Sequence, residues 1–349
     1  MNSGITALLM LTLVSGTHIT FTSSHWLMAW MGLELNTIAI LPLMAKYHHP
    51  RATEATTKYF LTQATGAAIL LFATLTDAWI QGHWAVIYSM NPLTTNIMAL
   101  ALALKLGMAP MHFWLPEVLQ GVDLTTGLIL STWQKLAPFI LLVQIQNINP
   151  TLPVLIALTS ILVGGWGGLN QTQLRKVLAY SSIAHLGWMM LVMMYSPTLA
   201  ILSLFMYIIM TTSAFLMFKL FSVTSLNALS TSWSKYPLLT ALAPLILLSL
   251  AGLPPLSGFM PKWFILAELS KQSLAIPATV AALSALLSLF FYLRIAYALS
   301  LTIFPTNSTT ILFYHPATPS IALPLAASTM AALGLLPLAP ILIALWAYW

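Results

Sequence analysis

Apolar residues run along this chain in blocks of about twenty, divided by short polar stretches. A helix that crosses a bilayer needs about 20 predominantly apolar residues. Eleven blocks meet that requirement, near 3–22, 25–45, 57–79, 94–115, 124–145, 151–170, 176–195, 198–221, 238–267, 275–300 and 321–346. Two of them are interrupted. The fourth carries Gly107 and Pro110; the ninth, too long for one straight span, carries Pro254, Pro255, Gly258 and Pro261. Proline breaks a helix, and non-helical backbone at membrane depth survives only where protein or a water-filled cavity satisfies it. The pattern predicts an all-α polytopic membrane protein, a single membrane domain over 1–349 with about eleven transmembrane helices, two of them broken.

Composition sharpens this picture. Only 5% of residues are charged and 59% are hydrophobic, whereas a soluble domain is about 25% charged. So few charges cannot cover a water-exposed surface. The absence of cysteine excludes disulfides, thiolate metal sites and cysteine-held iron–sulfur clusters within the chain. The eight histidines form no helix-spaced pair inside an apolar run, which leaves haem or metal ligation without support. The net charge of +6 is not a nucleic-acid footprint. Most basic residues lie in short loops, where they orient a membrane protein. With eleven helices, Lys46, Arg51, Lys58, Arg175, Lys176, Lys219 and Lys235 all fall on one side, and Lys271 stands opposite. The positive-inside rule puts those seven on the inner face, with the N-terminus inside and the C-terminus outside. The opening MNSGITALLMLTL lacks the basic region of a signal peptide and the arginines of a transit peptide. Abundant Met and Trp with no Cys suggest an organelle-encoded product that inserts directly.

The ionisable residues hint at an internal repeat. Lys105 and Lys262 stand 157 residues apart, Glu34 and His185 stand 151 apart, and Lys135 and Arg294 stand 159 apart. Two five-helix units would face opposite ways, because five is odd. The expected organisation is a pair of inverted repeats, approximately 3–145 and 151–300, with an extra helix at 321–346. Inverted repeats with paired broken helices place a transport site near the midplane.

Charge at membrane depth is the main pointer to chemistry. Lys105 lies midway along MALALALKLGMAPMHFWL, where a lysine costs roughly 2.5–3.5 kcal/mol on insertion scales. It reads as a proton-loading site; the competing reading is a lysine that snorkels to an interface. Glu34, inside WLMAWMGLELNTIAILPLM, is expected to pair with Lys105, since pairing offsets both desolvation costs. The alternative is a protonated acid bonded to backbone. Lys135 precedes Pro138 and reads either as a relay or as a lysine capping carbonyls that the proline frees. Lys262 follows the last proline of the ninth block and resembles Lys105 in setting. His112, seven residues after Lys105 and on its face if the helix continues, and His185 are secondary candidates. An imidazole can pass protons near neutral pH, but each is equally readable as a bonded core histidine. Asp77, Glu54, Glu117 and Asp123 read as solvated or interfacial, Glu268 as near the outer surface, and His48, His49, His83 and His315 as loop residues. Trp26, Trp79, Trp84 and Trp349 fit an aromatic belt. GGWGG at 164–168 lacks the spacing of a nucleotide loop and reads as close helix packing.

Four segments in order, WMGLELN, ALKLGMAPMHFWLPEV, QLRKVLAYSSIAHLGWM and GLPPLSGFMPKW, resemble the antiporter-like membrane subunits of respiratory NADH:ubiquinone oxidoreductase, complex I. The resemblance spans essentially the whole chain. It implies that Glu34, Lys105, Lys135 and Lys262 form a chain of ionisable groups and water that moves protons across the mitochondrial inner membrane. It also implies that NADH, FMN, iron–sulfur clusters and ubiquinone belong to partner subunits, with no cofactor in this chain. The implied partners are other complex I membrane subunits, further antiporter-like ones among them, and lipids. Family members commonly have fourteen core helices with the glutamate on the fifth; here it is on the second, so three helices are expected to be missing at the N-terminal side. A stand-alone cation/proton antiporter and a non-conducting scaffold subunit share much of this pattern and stay open at this point.

Overall fold

The computed structural model describes residues 3–46, 48–86, 91–145, 148–301, 319–341 and 344. Nearly all of these residues are helical. Eight helices are long and apolar enough to cross a membrane, and three shorter apolar ones accompany them, among the described residues. The chain forms two compact units, Met1–Ala157 and Leu158–Trp349.

The first unit holds α1 (Ser3–Thr22), α2 (Trp26–Met44), α3 (Pro50–Gln81), α4 (Pro92–Leu106), α5 (Trp114–Gly121), α6 (Leu124–Ser131) and α7 (Trp133–Gln144). α1 and α2 meet backbone to backbone: a Cβ on Gly16 would lie 2.9 Å from the Gly32 carbonyl oxygen, and one on Gly32 2.8 Å from that of Gly16. Lipid gives helices no hydrophobic reason to associate, so small residues that allow close approach do so instead. α3 packs against α2, α4 and α5, and α4 against α7. α4 ends as its sequence dictates. Gly107 takes a left-handed conformation (φ 79°), which glycine adopts without a Cβ clash, and its N–H caps the carbonyls of Ala103 and Leu104. A cis Ala109–Pro110 bond follows, then α5. The 124–145 block forms one span, Leu124–Gln144, with an irregularity at Thr132 that separates α6 from α7.

α8 (Thr151–Gly168) leads into the second unit. There follow α9 (Leu174–Met193), α10 (Pro197–Phe221), a 3₁₀ turn at Asn227–Thr231, α11 (Ser232–Lys235), α12 (Pro237–Ala251), α13 (Phe259–Lys271), α14 (Ala275–Leu301) and α15 (Pro319–Gly334). α9 is buried almost all round and packs against α10, α13 and α14. The GGWGG segment is a packing surface. A Cβ on Gly164 would lie 2.7 Å from the Ala184 backbone nitrogen, and one on Gly168 2.7 Å from the Phe291 ring. The 321–346 block is not one helix. α15 stops at Gly334 and a 3₁₀ turn at Leu336–Leu338 follows; most residues after 341 lie outside the described ones, as do His315 and Trp349.

Local features recur in the two units at a nearly fixed spacing. His25 and Ala85 bridge the start of α2 to the end of α3, and Gln173 and Ser225 bridge the start of α9 to the end of α10. The flanking hydrogen bonds correspond one for one: Trp26 N–H to Trp84 O and Val86 N–H to Ser24 O, then Leu174 N–H to Thr224 O and Leu226 N–H to Thr172 O, all 3.0 Å. α4 and α12 both run 15 residues from a proline in the first turn to a glycine at φ 79°, each then followed by a cis X–Pro bond. Pro92 and Pro237, Gly107 and Gly252, and Trp114 and Phe259 are each 145 residues apart. That spacing differs from the 157 residues that separate Lys105 from Lys262. In the backbone register, Lys105 falls on Leu250 and Lys262 on Glu117.

Candidate functional site: a lysine–glutamate pair at a helix break

The first break builds a site from five helices. Lys105 sits in the last turn of α4, one residue before the helix ends at Leu106. Its side chain is 2% exposed, and Nζ lies 3.4 Å from Oε1 of Glu34 on α2, whose side chain is 23% exposed. A helix C-terminus favours positive charge, so the end of α4 and Glu34 act on the amine together. Glu34 Oε2 also accepts from the Thr37 hydroxyl at 3.2 Å.

The broken end leaves carbonyls that need donors. Side chains supply them. Gln63 Nε2 on α3 donates to the Lys105 carbonyl at 3.2 Å, and Trp114 Nε1 on α5 donates to the Leu104 carbonyl at 3.1 Å. Trp114 also stands edge-on to Tyr59, with centroids 5.7 Å apart. Lys135 is 2% exposed and lies in the first turn of α7, just past the division at Thr132. Gln134 beside it donates to the Asn36 carbonyl of α2 at 3.1 Å. A cavity of about 20 Å³, room for a water molecule, touches Lys105, Lys135, Tyr59, Gln63 and Gln134. Lys105 and Lys135 therefore line one small cavity of mixed polar and apolar walls.

The second break is arranged otherwise. Lys262 lies in the first turn of α13, after the break, and Nζ reaches back to donate to the Ala251 carbonyl at 2.7 Å, the last residue of α12. The amine also stands 5.8 Å from the centroid of the Trp188 ring. His185 on α9 faces Tyr207 on α10 at 5.5 Å between ring centres.

Several sequence expectations are altered. His112 is not on a continued face of α4, because the helix ends at Leu106; it is 5% exposed within the break, with Nδ1 3.2 Å from the Pro110 carbonyl oxygen. Asp77 is not solvated. It is 3% exposed and accepts from the Thr94 hydroxyl at 2.6 Å and from Gln81 Nε2 at 3.0 Å. Trp26 is not a belt residue, since it is buried, whereas Trp79 is exposed. Glu54 and Glu117 both pair with Lys58 at the surface, at 2.6 and 2.7 Å. Glu268 meets Lys271 at 3.3 Å. Tyr59, Gln63 and Gln134 are members of the site that the charge-based reading passed over. Their signal is the same one that marked the lysines: polar side chains inside a spanning helix.

Residues 23–288 match the family described as NADH:quinone oxidoreductase/Mrp antiporter, transmembrane, and residues 289–343 match that of NADH dehydrogenase subunit 2, C-terminus. A chain of respiratory complex I from Thermus thermophilus superposes with a TM-score of 0.88 at 27% identity, over 98% of this chain and 81% of that one. A chain of the Mrp complex from Dietzia shares the fold at 18% identity, with a TM-score of 0.77 over 97% of this chain and 74% of that one. The fold and its broken helices are those of antiporter-like membrane proteins. Among relatives, NADH-ubiquinone oxidoreductase chain 2 of Tetraodon nigroviridis is 63% identical over 97% of this chain and 98% of its own, and that of Carassius auratus 61% identical over 99% of both. The chain belongs to the NADH-ubiquinone oxidoreductase chain 2 family.

Proposed function

We propose that this chain is a proton-translocating core membrane subunit of the respiratory NADH:ubiquinone oxidoreductase, and that Glu34, Lys105, Lys135 and Lys262 carry the protons. His112 and His185 are secondary members of the path. The observation that supports this most is the Lys105–Glu34 pair at a broken helix, opening on a polar cavity shared with Lys135. In the charged state Glu34 holds the protonated Lys105. When charge is drawn away from Glu34, the buried amine loses its counter-ion and its proton moves through water toward Lys135, and from there toward Lys262. Moving one charge across a membrane costs about 2.3 kcal/mol per 100 mV, hence about 3.4 kcal/mol at roughly 150 mV. One pKa unit is about 1.36 kcal/mol, so a swing of about 2.5 units between the two states suffices. Burial and the presence or absence of a counter-charge each shift buried groups by that much.

The subunit works in the mitochondrial inner membrane, with the N-terminus on the matrix side and the C-terminus on the intermembrane-space side. Its two units act as inverted repeats, approximately 3–145 and 151–300. Electron transfer through flavin and iron–sulfur clusters to ubiquinone takes place in partner subunits, and this chain does no redox chemistry of its own.

The test is Lys105→Met in the assembled complex, reconstituted in liposomes. NADH oxidation continues while protons moved per NADH fall. An unchanged proton yield sinks the assignment of Lys105. Ion-gradient exchange by the chain in liposomes without NADH would instead favour a stand-alone cation/proton antiporter. A normal yield after neutralising all four residues, with assembly intact, would favour a scaffold.

A further inference from the structure

Asp77 is a buried carboxylate that the proton path does not use. It lies near the far end of α3, and its shortest contact is to α4: the Thr94 hydroxyl donates to Oδ1 at 2.6 Å, the shorter of its two contacts, the other being the Asn91 carbonyl at 2.9 Å, and Gln81 Nε2 donates to the same Asp77 oxygen at 3.0 Å. Thr94 is the third residue of α4, whose start is fixed by Pro92 in its first turn and by the Asn91 side chain, which caps the Leu93 N–H at 3.3 Å. A carboxylate beside the first turn of a helix also suits the helix dipole.

The α3–α4 seam runs from this point to the lysine site. Along α3 it is formed by Tyr59, Gln63, Gly66, Leu70, Ala73 and Asp77, all buried and at helical spacing. Along α4 the matching stripe is Thr94, Met98, Ala101 and Lys105, again all buried. The middle of the seam is apolar and close-packed. A Cβ on Gly66 would lie 3.1 Å from Lys105 Cγ and 3.6 Å from the Ala101 carbonyl. Packing alone opposes sliding or rotation there. Directional bonds occur at the two ends: Asp77 with Thr94, and Gln63 with the Lys105 carbonyl at 3.2 Å.

α4 is a 15-residue helix, a rod of about 22 Å. A rigid rod that slides or turns about its axis moves at both ends together, so a tie at Thr94 bears on the setting of Lys105.

We infer that Asp77 is a positioning residue: through Thr94 it holds α4 in register against α3, and so keeps Lys105 facing Glu34. The clamp needs an acceptor for the Thr94 hydroxyl, and an amide oxygen serves as well as a carboxylate. The inference rests on the proton-carrying role of Lys105 for its functional consequence, although the clamp itself is a structural statement that can be read separately.

The experiment uses the assembled complex with Asp77→Leu, Asp77→Asn and Thr94→Val. The first readout is amide hydrogen exchange over residues 92–106. Asp77→Leu and Thr94→Val speed it by about tenfold or more, the equivalent of one lost charge-assisted hydrogen bond, and Asp77→Asn, which keeps a neutral acceptor, restores most of that loss. The second readout is protons moved per NADH oxidised. It falls in the Leu and Val variants at unchanged NADH oxidation and recovers in Asp77→Asn; a role in assembly alone would lower both rates together. Parent-like exchange in Asp77→Leu overturns the clamp. Failure of Asp77→Asn to restore exchange overturns it too, since the charge and not the acceptor would then matter. Faster exchange with an unchanged proton yield overturns the link to Lys105. Normal pumping by Lys105→Met would overturn the functional reading while leaving the exchange result to stand by itself.

Discussion

The two broken helices share a backbone plan and differ in how the gap is filled. Each has a 15-residue helix, a glycine at φ 79° and a cis X–Pro bond. At the first break the gap is held by side chains, Trp114 and Gln63, which satisfy carbonyls from across the space. A cavity remains, and the lysine stands before the break, opposite a carboxylate. At the second break the backbone closes on itself. A Cβ on Gly258 would fall on the Ser249 carbonyl oxygen, Ser257 donates to the Ala332 carbonyl, and Lys262 caps Ala251 from the far side. In the backbone register the counterpart of Gly258 is Phe113, which is 71% exposed. Glycine and proline thus set where a helix breaks. The side chains around the gap set whether it keeps a small cavity beside an ion pair or becomes a closed joint with a lysine on a carbonyl.

That contrast can be broken at several points. Gly258→Ala forces backbone apart at the closed joint, a cost at the upper end of the about 1–3 kcal/mol typical of overpacking. The expected result is little assembled complex on a native gel. Normal assembly would mean that the second break is looser than described. Lys262→Met removes the donor to Ala251 and leaves a buried carbonyl without it, at about 1–3 kcal/mol. The temperature of half-inactivation falls, and proton yield per NADH falls with it. If stability drops while the proton yield holds, Lys262 is a cap and not a carrier. Trp114→Phe keeps the ring but loses the bond to the Leu104 carbonyl, at about 1 kcal/mol. Water in the cavity can partly replace that donor, so the drop in half-inactivation temperature is smaller than for Lys262→Met. Phe113→Ser, at the exposed counterpart of Gly258, stays within about 0.5 kcal/mol in the same assay. A large loss there would show that the first break is as tightly closed as the second.

The charged cluster at the surface end of α3 behaves differently from the buried pair. Lys58 meets both Glu54 and Glu117, but all three side chains are 42–62% exposed. Exposed pairs contribute little and are screened by salt. The Lys105–Glu34 contact is longer, yet it matters more to the chemistry, because little water reaches the lysine to take the place of its partner.

The sequence by itself determined the spans, since a run of about twenty apolar residues has one stable solution in lipid, a helix with its backbone bonds made internally. It marked both breaks too, through Gly107 with Pro110 and through Pro254, Pro255 and Gly258; the part that Gly252 plays as the left-handed cap of α12 appeared only in the structure. It marked Lys105, Glu34, Lys135 and Lys262, as a charge in an apolar run is costly wherever it points. Tertiary structure decided what those charges meet. Only packing could show that Lys262 turns back onto Ala251, that Lys105 and Lys135 share a cavity, and that Asp77 is buried against Thr94. Tertiary structure also showed that α4 and α12, with their caps and turns, recur 145 residues apart, a spacing that the ionisable residues do not share. The reason is physical. Insertion into lipid is decided locally, by the length and polarity of each segment. Partnership between side chains depends on helix rotation and approach, which are fixed only when small residues such as Gly16, Gly32 and Gly164 let neighbouring helices close.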